Sequence, residues 1–487
     1  MNETVDRVIT VETRLQNDSN LVRYLNVAVT QYELVRRRIW SEMIDPNYKK
    51  NYPTDVKFEQ HCRLIYGLHS RAINSIVREL RGFKKAYMEL KKTELSQLEN
   101  KIKSQNKKVN KSLAILTELK PLVTDNIANE KQLNTYRKYK FSLYHQKNRL
   151  NRLNIKYDNL QYQIDKEIYK VCFGTKDLFR RQHLLEENGF KTHTKWYNKF
   201  VKNRDKNIWL TGSINEKDGN QMCALLYDEQ TDTFSIKLRK IEVGDYGKYD
   251  QNKYITYNNI NFKHNKQDII DLVNKQQNNL TDKQAINFRF HREGTKWYLQ
   301  IVYSKSYYIV NSVTRYNNGV LGLDFNNGFI QLAETNRFGN LIHLHKYELK
   351  YHGTGNKAKT EIEQTINQIV HHAVKCSKDI VIEDLDFKAT KAKQTKAKSK
   401  KGKEYNEMLH SFDYSRYKQK MQDIGFNNQV TVALVKPHNT TKIAKQKYCN
   451  QMKLTSHQGA SFVIARKHQG FIDKLKTKPK KINKKSA

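Results

Sequence analysis

Acidic residues are scarce in this sequence. Its 487 residues include 49 Asp and Glu against 89 Lys and Arg, so the formal net charge is +40. Such an excess repels itself unless an anionic partner neutralises it, and basic charge of this size is typical of proteins that bind nucleic-acid phosphates. The composition therefore favours a nucleic acid as the main partner.

Paired cysteines are also missing. No two of the five cysteines have C-x-x-C spacing; they are Cys62, Cys172, Cys223, Cys376 and Cys449. This spacing argues against a zinc ribbon and gives no support to a disulfide framework. We therefore expect no zinc, and we interpret the cysteines as buried thiols.

Long apolar runs are the third absence. No uninterrupted apolar stretch is long enough to span a bilayer. The first residues, MNETVDRVITVETRL, lack the apolar core of a signal peptide. We therefore expect a cytoplasmic protein without a membrane partner. Its hydrophobic fraction of 38% is sufficient for folded domains, and a chain of this length suggests roughly two to four of them.

The first part of the chain has mainly helical patterns. Residues 4–14 alternate weakly and predict one strand. From about Asn20, apolar residues recur at three- and four-residue spacing, which predicts a helix. A further helix is predicted from Asp55 to about Arg81.

A long helical hairpin is predicted between about 85 and 170, with its turn near Pro121. Apolar residues follow a heptad seam in both arms: Leu95, Leu98, Ile102, Val109, Leu113 and Leu116 in the first, and Leu143, Leu150, Leu153, Tyr157, Leu160 and Ile164 in the second. A coiled-coil spacer or dimerisation element would have such a seam, and so would a basic lobe that grips a nucleic-acid duplex. Lys and Arg decorate both arms, which favours the lobe.

Strand patterns dominate from about 205 to 312. The segments are IWLTGSIN, MCALLYDE, TFSIKLRK, AINFRFHRE and KWYLQIVYS. They predict a small β-barrel or sheet, to which the N-terminal strand can add. Trp209 and Trp297 lie in these segments, where tryptophans are more often core residues than base-stacking ones.

Residues 318–487 alternate strands and helices in the order of an RNase H-type domain. The segments are the hairpin VLGLDFNNGFIQLAETN, the strand GNLIHLHKYEL, the helix TEIEQTINQIVHHAVKC, the strand DIVIEDL, a helix near 413–425, the strand QVTVALVKP and a last helix from about His457 to Gly470. This order brings Asp324, on the first strand, and Glu383, at the end of the fourth, to one edge of the sheet. Two Mg²⁺ ions about 4 Å apart would find hard oxygen ligands there and activate water for phosphodiester hydrolysis.

Each carboxylate could instead have a purely structural role. Asp324 follows an apolar run, where an acid is costly unless it is paired or bound to metal, but it could instead cap the turn at Asn326 and Asn327. Glu383 shares a strand face with Val381, and it could be a solvated strand-end residue. Their joint placement in the strand order is more specific than either residue alone.

These motifs resemble the TnpB family of transposon-encoded RNA-guided nucleases, which are relatives of the type V CRISPR effectors. The resembling segments are GLDFNNGFIQLAETNRFGNLI, IVIEDLDF and TTKIAKQKYCNQMKLTSHQGASFVIARKHQGF. The last of them, with CFGTKDLFRRQ and Trp196, is similar to a TnpB-related branch that lacks the zinc ribbon. The resemblance covers the nuclease domain well and the middle of the chain loosely. In the helical region, only the general type of structure is similar. It implies a RuvC-like nuclease that uses Mg²⁺, a guide RNA, a target DNA and a short flanking DNA motif.

The resemblance also implies a multidomain α+β architecture. Its parts would be an N-terminal strand of the wedge domain (1–19), a helical recognition lobe with the coiled-coil hairpin (20–204), a β-barrel-like wedge domain (205–317), a C-terminal RNase H-like (RuvC) domain (318–475) with a Lys-rich lid (388–403), and a basic disordered tail (476–487).

The third motif departs from the family pattern at one position. TnpB proteins place an Asp before Asn-Ala-Ala on the last helix, whereas this chain has His457 before Gln-Gly-Ala-Ser. His457 could ligate a metal or position its water. It could instead begin the helix while Glu361, Glu363 or Asp473 completes the site, although Asp473 is about 24 Å away along a helix. In the third alternative the site is incomplete and the protein binds DNA without cutting it.

Other basic residues are candidates for phosphate binding. The Lys-rich run could be a solvated loop or a lid that orders on nucleic acid; its lysines are Lys388, Lys391, Lys393, Lys396, Lys398, Lys400, Lys401 and Lys403. Arg466 and Lys467 on the last helix could contact phosphate or face water.

Three functions follow as hypotheses. The first is an RNA-guided DNA endonuclease with Asp324 and Glu383 as Mg²⁺ ligands and His457 as the third catalytic residue. The second is a cleavage-inactive RNA-guided protein that acts as a repressor or targeting factor. The third is a basic coiled-coil RNA-binding scaffold without a guide.

Overall fold

A computed structural model describes residues 4–17, 19–244, 250–278, 283–308, 312–326, 328–350, 355–385, 414–473 and 475. The chain divides into two compact units. We call residues 8–305 the large unit, and residues 306–487 with 1–7 the C-terminal unit. None of the described helices is both long and apolar enough to cross a membrane.

The large unit combines helices with two sheets. Its helices are α1 (Asn20–Met43), α2 (Tyr48–Asn51), α3 (Asp55–Ile65), α4 (Ser70–Thr124), α5 (Glu130–Asp165), α6 (Lys176–Arg180), α7 (His193–Arg204) and α8 (Lys266–Gln277). Its strands are β1 (Thr4–Arg14), β2 (Asn207–Leu210), β3 (Cys223–Asp228), β4 (Thr233–Arg239), β5 (Tyr254–Ile260), β6 (Asn287–Glu293) and β7 (Lys296–Tyr308). The ends of β1 and β7 continue past the division between the units.

The β-rich region forms open sheets over the described residues, so the predicted barrel is not confirmed. One sheet has the order β1-β7-β6-β2, with the N-terminal strand at its edge, and the other has the order β3-β4-β5. One hydrophobic core joins α1, α3 and the first turns of α4 to both sheets. This core includes Trp297, which is fully buried, and it crosses the predicted domain boundary at 205.

The predicted helix from Asp55 to Arg81 is wrong as a single element. The chain leaves α3 after Ile65 and begins α4 at Ser70. Gly67 adopts a positive φ of 60° in this break, a conformation that glycine takes without the usual steric cost. The apolar spacing continues across the break, which is why periodicity alone did not reveal it. The sequence patterns also did not predict strand β5 or helix α8.

Helices α4 and α5 form the predicted hairpin, but two seam positions are polar. Gln105 and Ser112 are buried at heptad positions of α4, whereas Leu113, predicted for the seam, is 39% exposed. Gln105 donates to the carbonyl of Gln146 (3.1 Å), and the Ser112 hydroxyl donates to the Gln146 side-chain oxygen (3.1 Å). We call Gln105, Ser112 and Gln146 the polar layer of the hairpin. A heptad pattern of apolar residues does not predict these buried polar side chains.

The C-terminal unit has the predicted strand order. Its strands are β8 (Val320–Asn326), β9 (Phe329–Thr335), β10 (Leu341–Glu348), β11 (Asp379–Glu383) and β12 (Val432–Val435), and its helices are α9 (Asn356–Cys376), α10 (Tyr414–Asn427), α11 (Thr440–Ala444) and α12 (Ser456–His468). The described strands form one mixed sheet in the order β10-β9-β8-β11-β12. Strand β9 runs antiparallel to both β8 and β10, while β11 runs parallel to both β8 and β12.

The two faces of this sheet have different cores. Leu321, Leu323, Ile380 and Ile382 pack with apolar residues of α9 and α10. Alternate residues of the same strands, including Val320 and Val381, pack against α12. Because side chains alternate along a strand, Asp324 and Glu383 belong to the face that carries α12.

Helix α12 approaches β8 closely at Gly322. A Cβ atom at this position would lie 2.2 Å from the backbone oxygen of Ser461 and 2.7 Å from the backbone nitrogen of Ala465. Only glycine fits without displacing the helix, because both obstacles are backbone atoms. Gly322 therefore sets how near the first turn of α12 lies to Asp324.

Candidate active site

The structure brings Asp324 and Glu383 together on adjacent parallel strands. The register pairs Leu323 of β8 with Ile382 of β11, so the two acids occupy the next aligned position. Aligned residues of neighbouring strands point to the same face, and the strands are about 4.8 Å apart. The two carboxylates thus stand side by side at the carboxyl ends of β8 and β11, as the strand order predicted.

Asp324 is oriented through one of its oxygens. Its Oδ2 accepts a hydrogen bond from the Asn326 side chain at 3.0 Å and lies 3.0 Å from Nδ1 of His457. Its Oδ1 makes no hydrogen bond within the described part of the chain. The side chain is 17% exposed, so the remaining oxygen of this partly buried group is the one offered to a ligand.

Glu383 is also held by one oxygen. The buried Thr440 hydroxyl donates to Oε1 at 2.7 Å, and Tyr414 donates its hydroxyl hydrogen bond to the backbone carbonyl of Glu383. Burial raises the pKa of Glu383 above the usual glutamate value, and the charge of Asp324 raises it further. The Thr440 hydrogen bond and the Lys467 charge act in the opposite direction. A bound cation would relieve the repulsion between the two carboxylates.

His457 lies in the first turn of α12. Thr455 and Gln458 form a capping box that begins the helix at Ser456. An ionised carboxylate only accepts hydrogen bonds, so the contact with Asp324 assigns the imidazole proton to Nδ1. The Nε2 atom then has its lone pair available on a side chain that is 47% exposed. The ring edge also contacts Phe329, with ring centroids 5.2 Å apart.

The donor set fits a hard cation. Asp324 and Glu383 each retain one carboxylate oxygen without a protein partner among the described residues, and Mg²⁺ is commonly bound by one or two carboxylates with waters and substrate phosphates. Over the same residues, no group of three or more His, Cys, Asp and Glu is placed to hold a metal ion. The two carboxylates are therefore the residues that would hold Mg²⁺, with its other ligands coming from water and substrate.

The three alternative carboxylates make other contacts. Glu361 accepts a hydrogen bond from the backbone of Lys350 at 2.8 Å, and Glu363 forms an ion pair with Lys420 at 2.6 Å.

Asp473 is bound by several donors. Burial acts to raise its pKa, but hydrogen bonds from Tyr448, Arg466 and Lys447 outweigh burial and hold the pKa below the usual aspartate value. An acid so fully paired has little capacity left for a metal.

The predicted phosphate-binding residues have mixed outcomes. The eight lysines of the Lys-rich run lie outside the described residues. Arg466 forms an ion pair with Asp473 at 3.0 Å and donates to the carbonyl of Gly339 at 2.9 Å. Lys467 donates to the carbonyls of Lys436 (2.6 Å) and His438 (3.3 Å). Their phosphate contacts remain a prediction.

Thr440 is the site residue that sequence reasoning missed. It lies in the third resembling segment, but a threonine at the start of a short helix is not distinctive. The sequence predicts Asn326 only as a turn residue. Asp384, which directly follows Glu383 in the second resembling segment, forms an ion pair with Lys418 of α10, so it points to the opposite face of the sheet.

Comparisons with known proteins give weak structural likenesses. No family model matches the sequence, and no curated protein matches it. Among solved structures, the chain is similar to T. thermophilus RuvC in complex with a Holliday junction substrate, with 14% identity, 32% of this chain and 98% of that chain covered, and a TM-score of 0.21.

Two structures of the Cas12i1 R-loop complex before target DNA cleavage are also similar. The selenomethionine form has 8% identity over 84% of this chain and 49% of that chain, with a TM-score of 0.20, and the other has 10% identity over 91% and 45%, with a TM-score of 0.16. This chain thus spans about half the length of Cas12i1. Because these three TM-scores lie below 0.5, we base the RNase H-type assignment on the strand order alone.

Proposed function

We propose that this protein is a Mg²⁺-dependent DNA endonuclease of the RuvC-like type, guided by RNA in the manner of TnpB. The observation that carries the nuclease part is the pair of aligned carboxylates at the ends of β8 and β11, each with one oxygen left for a cation. The guide RNA, the target DNA and the flanking motif are inferred from the resemblance of the motifs to TnpB.

The side chains around the pair have distinct roles in this proposal. Asn326 and His457 orient Asp324, while Thr440 orients Glu383. When bound, Mg²⁺ supplies a Lewis acid that activates water and stabilises the leaving oxygen. The Nε2 atom of His457 can take a proton from the attacking water, because Asp324 stabilises the imidazolium that forms.

The helical hairpin supports a nucleic-acid partner. Residues 100–117 of α4 and 131–157 of α5 contain thirteen Lys and Arg and no acid, and these basic side chains are exposed. Phe141 and Tyr144 on α5 are 71% and 65% exposed, so they can stack on unpaired bases. We assign the hairpin to nucleic-acid binding rather than to a spacer.

The nuclease proposal is tested by plasmid cleavage with the RNA that copurifies and with Mg²⁺. We expect Asp324→Ala and Glu383→Ala each to reduce cutting by about 1,000-fold or more, because the remaining carboxylate would bind the cation weakly. The matched control is Asp384→Ala, which removes the neighbouring acid that faces Lys418. Equal loss in the control variant, or cutting that survives EDTA, would contradict the assignment.

A second candidate is a cleavage-inactive RNA-guided DNA-binding protein. It is favoured by the histidine at the position of the family's third carboxylate and by the absence of a three-ligand group among the described residues. In this case the wild-type protein binds target DNA without cutting it. His457→Asp would then be expected to gain Mg²⁺-dependent cutting, whereas for an active enzyme His457→Ala lowers the rate by roughly 100-fold.

A further inference from the structure

A cationic groove lies in the large unit, in addition to the hairpin. Its volume is about 610 Å³, and it is formed by α7, the residues that follow α7 and the turn between β6 and β7. Its basic lining residues are Lys195, Lys199, Lys202, Lys206 and Arg292, and Glu293 is the acidic one. Five cations against one carboxylate give the groove a strong positive charge.

Three of the lysines form one row because α7 is amphipathic. Trp196 and Phe200 are buried in a small core on one side of the helix. Lys195, Lys199 and Lys202 have helical spacing and are exposed on another side of α7, and the exposed Lys206 extends the row two residues beyond the end of the helix. Lys195 and Lys202 are about 10 Å apart along the helix, which matches roughly three phosphates of one duplex strand.

The four ammonium groups have no carboxylate partner in the part of the chain that the structure describes. Within the described residues, no Asp or Glu lies at ion-pair distance from any of them, although Lys199 lies over the Phe190 ring at 5.3 Å. Surface lysines that serve only for solubility are usually interspersed with acids. A row of unpaired lysines in a concave surface instead lowers the cost of bringing an anion there.

Arg292 fixes the other wall of the groove. Its guanidinium donates to the carbonyl of Asp205 at 2.7 Å and to Asn26 at 3.3 Å, and it lies over the Trp297 ring at 5.6 Å. Its Nε atom is buried and has no hydrogen-bond partner among the described residues. Burial lowers the pKa of Arg292, so the charge is held in a partly desolvated place where an anion is attracted strongly.

We infer that this groove binds the sugar–phosphate backbone of a nucleic-acid strand through the row Lys195, Lys199, Lys202 and Lys206. The inference rests on the proposed function, because it assumes that the chain works on nucleic acid. It adds a second backbone-binding surface, one that the sequence patterns did not predict. The chemistry is shared by RNA and DNA, since each offers a row of phosphates.

The test compares two variants with equal charge change. In the groove variant, Lys195, Lys199, Lys202 and Lys206 are all replaced by Gln; in the control variant, the exposed Lys49, Lys50, Lys57 and Lys263 are replaced by Gln. Binding of a short labelled RNA and of a DNA of the same sequence is measured over a range of salt concentrations. Thermal melting of both variants checks that they fold.

We expect the groove variant to lose roughly one unit of the slope of log affinity against log salt for each lysine, and to bind roughly tenfold or more weakly. A loss confined to the RNA or to the DNA identifies the bound strand. If the folded groove variant binds like the control, the groove inference is overturned while the proposed function stands. If the wild-type protein binds neither probe, the proposed function fails, and the groove inference fails with it.

Discussion

At the scale of single residues, the Asp324–His457 contact decides the chemistry available to the site. A carboxylate hydrogen-bonded to Nδ1 fixes the imidazole tautomer and makes Nε2 a better base or ligand. This geometry favours the interpretation in which His457 acts on a water or a metal over the one in which it only begins the helix.

Glu383 gives the first prediction. Because its pKa is raised in the folded protein, the folded state binds more protons than the unfolded state between the usual glutamate pKa and the raised value. Stability therefore falls as pH rises through that window, and the charged carboxylate costs stability at neutral pH. Glu383→Gln should raise the melting temperature without Mg²⁺ at pH 7 by roughly one or two degrees, and the gain should vanish in acid.

The same variant should no longer respond to Mg²⁺. A ligand that binds only the folded state raises the melting temperature, so Mg²⁺ should stabilise the wild-type protein and not Glu383→Gln. Asp384→Asn is the control and should keep the response. Equal Mg²⁺ stabilisation of Glu383→Gln and wild type would show that the cation binds elsewhere.

At the scale of elements, the contact between α12 and β8 positions the site. Gly322→Ala would place a methyl group against the backbone of Ser461 and Ala465. We expect a loss of about 1–3 kcal/mol in unfolding free energy from this overpacking, and a longer distance from His457 to Asp324. Chemical denaturation measures the loss of unfolding free energy, and a lower cleavage rate reports the displacement of His457 from Asp324.

Gly82→Ala is the matched control for this change. Gly82 lies inside α4 with no atom within 4 Å of an added Cβ, so alanine there should stabilise by about 0.5–1 kcal/mol. A Gly322→Ala variant as stable and active as the wild type would mean that α12 can shift without affecting the site.

The polar layer of the hairpin gives another prediction. Gln146→Leu removes the acceptor of the buried Ser112 hydroxyl, while Gln105 keeps its bond to the Gln146 carbonyl. The orphaned hydroxyl should cost roughly 1–3 kcal/mol, measured by hydrogen exchange in α4 and α5. Adding Ser112→Ala should recover most of the loss, and no recovery would place the cost in packing instead.

At the scale of the whole molecule, the net charge of +40 dominates. Affinity for nucleic acid should fall linearly on a log–log plot against salt.

Sequencing the RNA that copurifies separates the remaining hypotheses. We expect one discrete species of defined length, as a guide requires; heterogeneous cellular RNA would instead favour a scaffold without a guide.

Local patterns in the sequence were sufficient to predict the order of most helices and strands in this protein. Strand and helix periodicity predicted the order of the C-terminal sheet, and that order alone places Asp324 beside Glu383. The heptad seam likewise predicted the hairpin, because its arms are adjacent in the chain and pack through regular spacing. The same periodicity failed at Gly67, where the apolar spacing runs through a break in the helix.

Other features were decided only by the tertiary structure. His457 meets Asp324 across 133 residues, and Thr440 meets Glu383 across 57; no local pattern encodes contacts between side chains so far apart in the chain. The role of Gly322 depends on how closely a distant helix backbone approaches. The sequence by itself determined that the two carboxylates meet at one edge of the sheet, because strand order follows from local patterns; the packing of α12 and α11 on the sheet decided which side chains orient them.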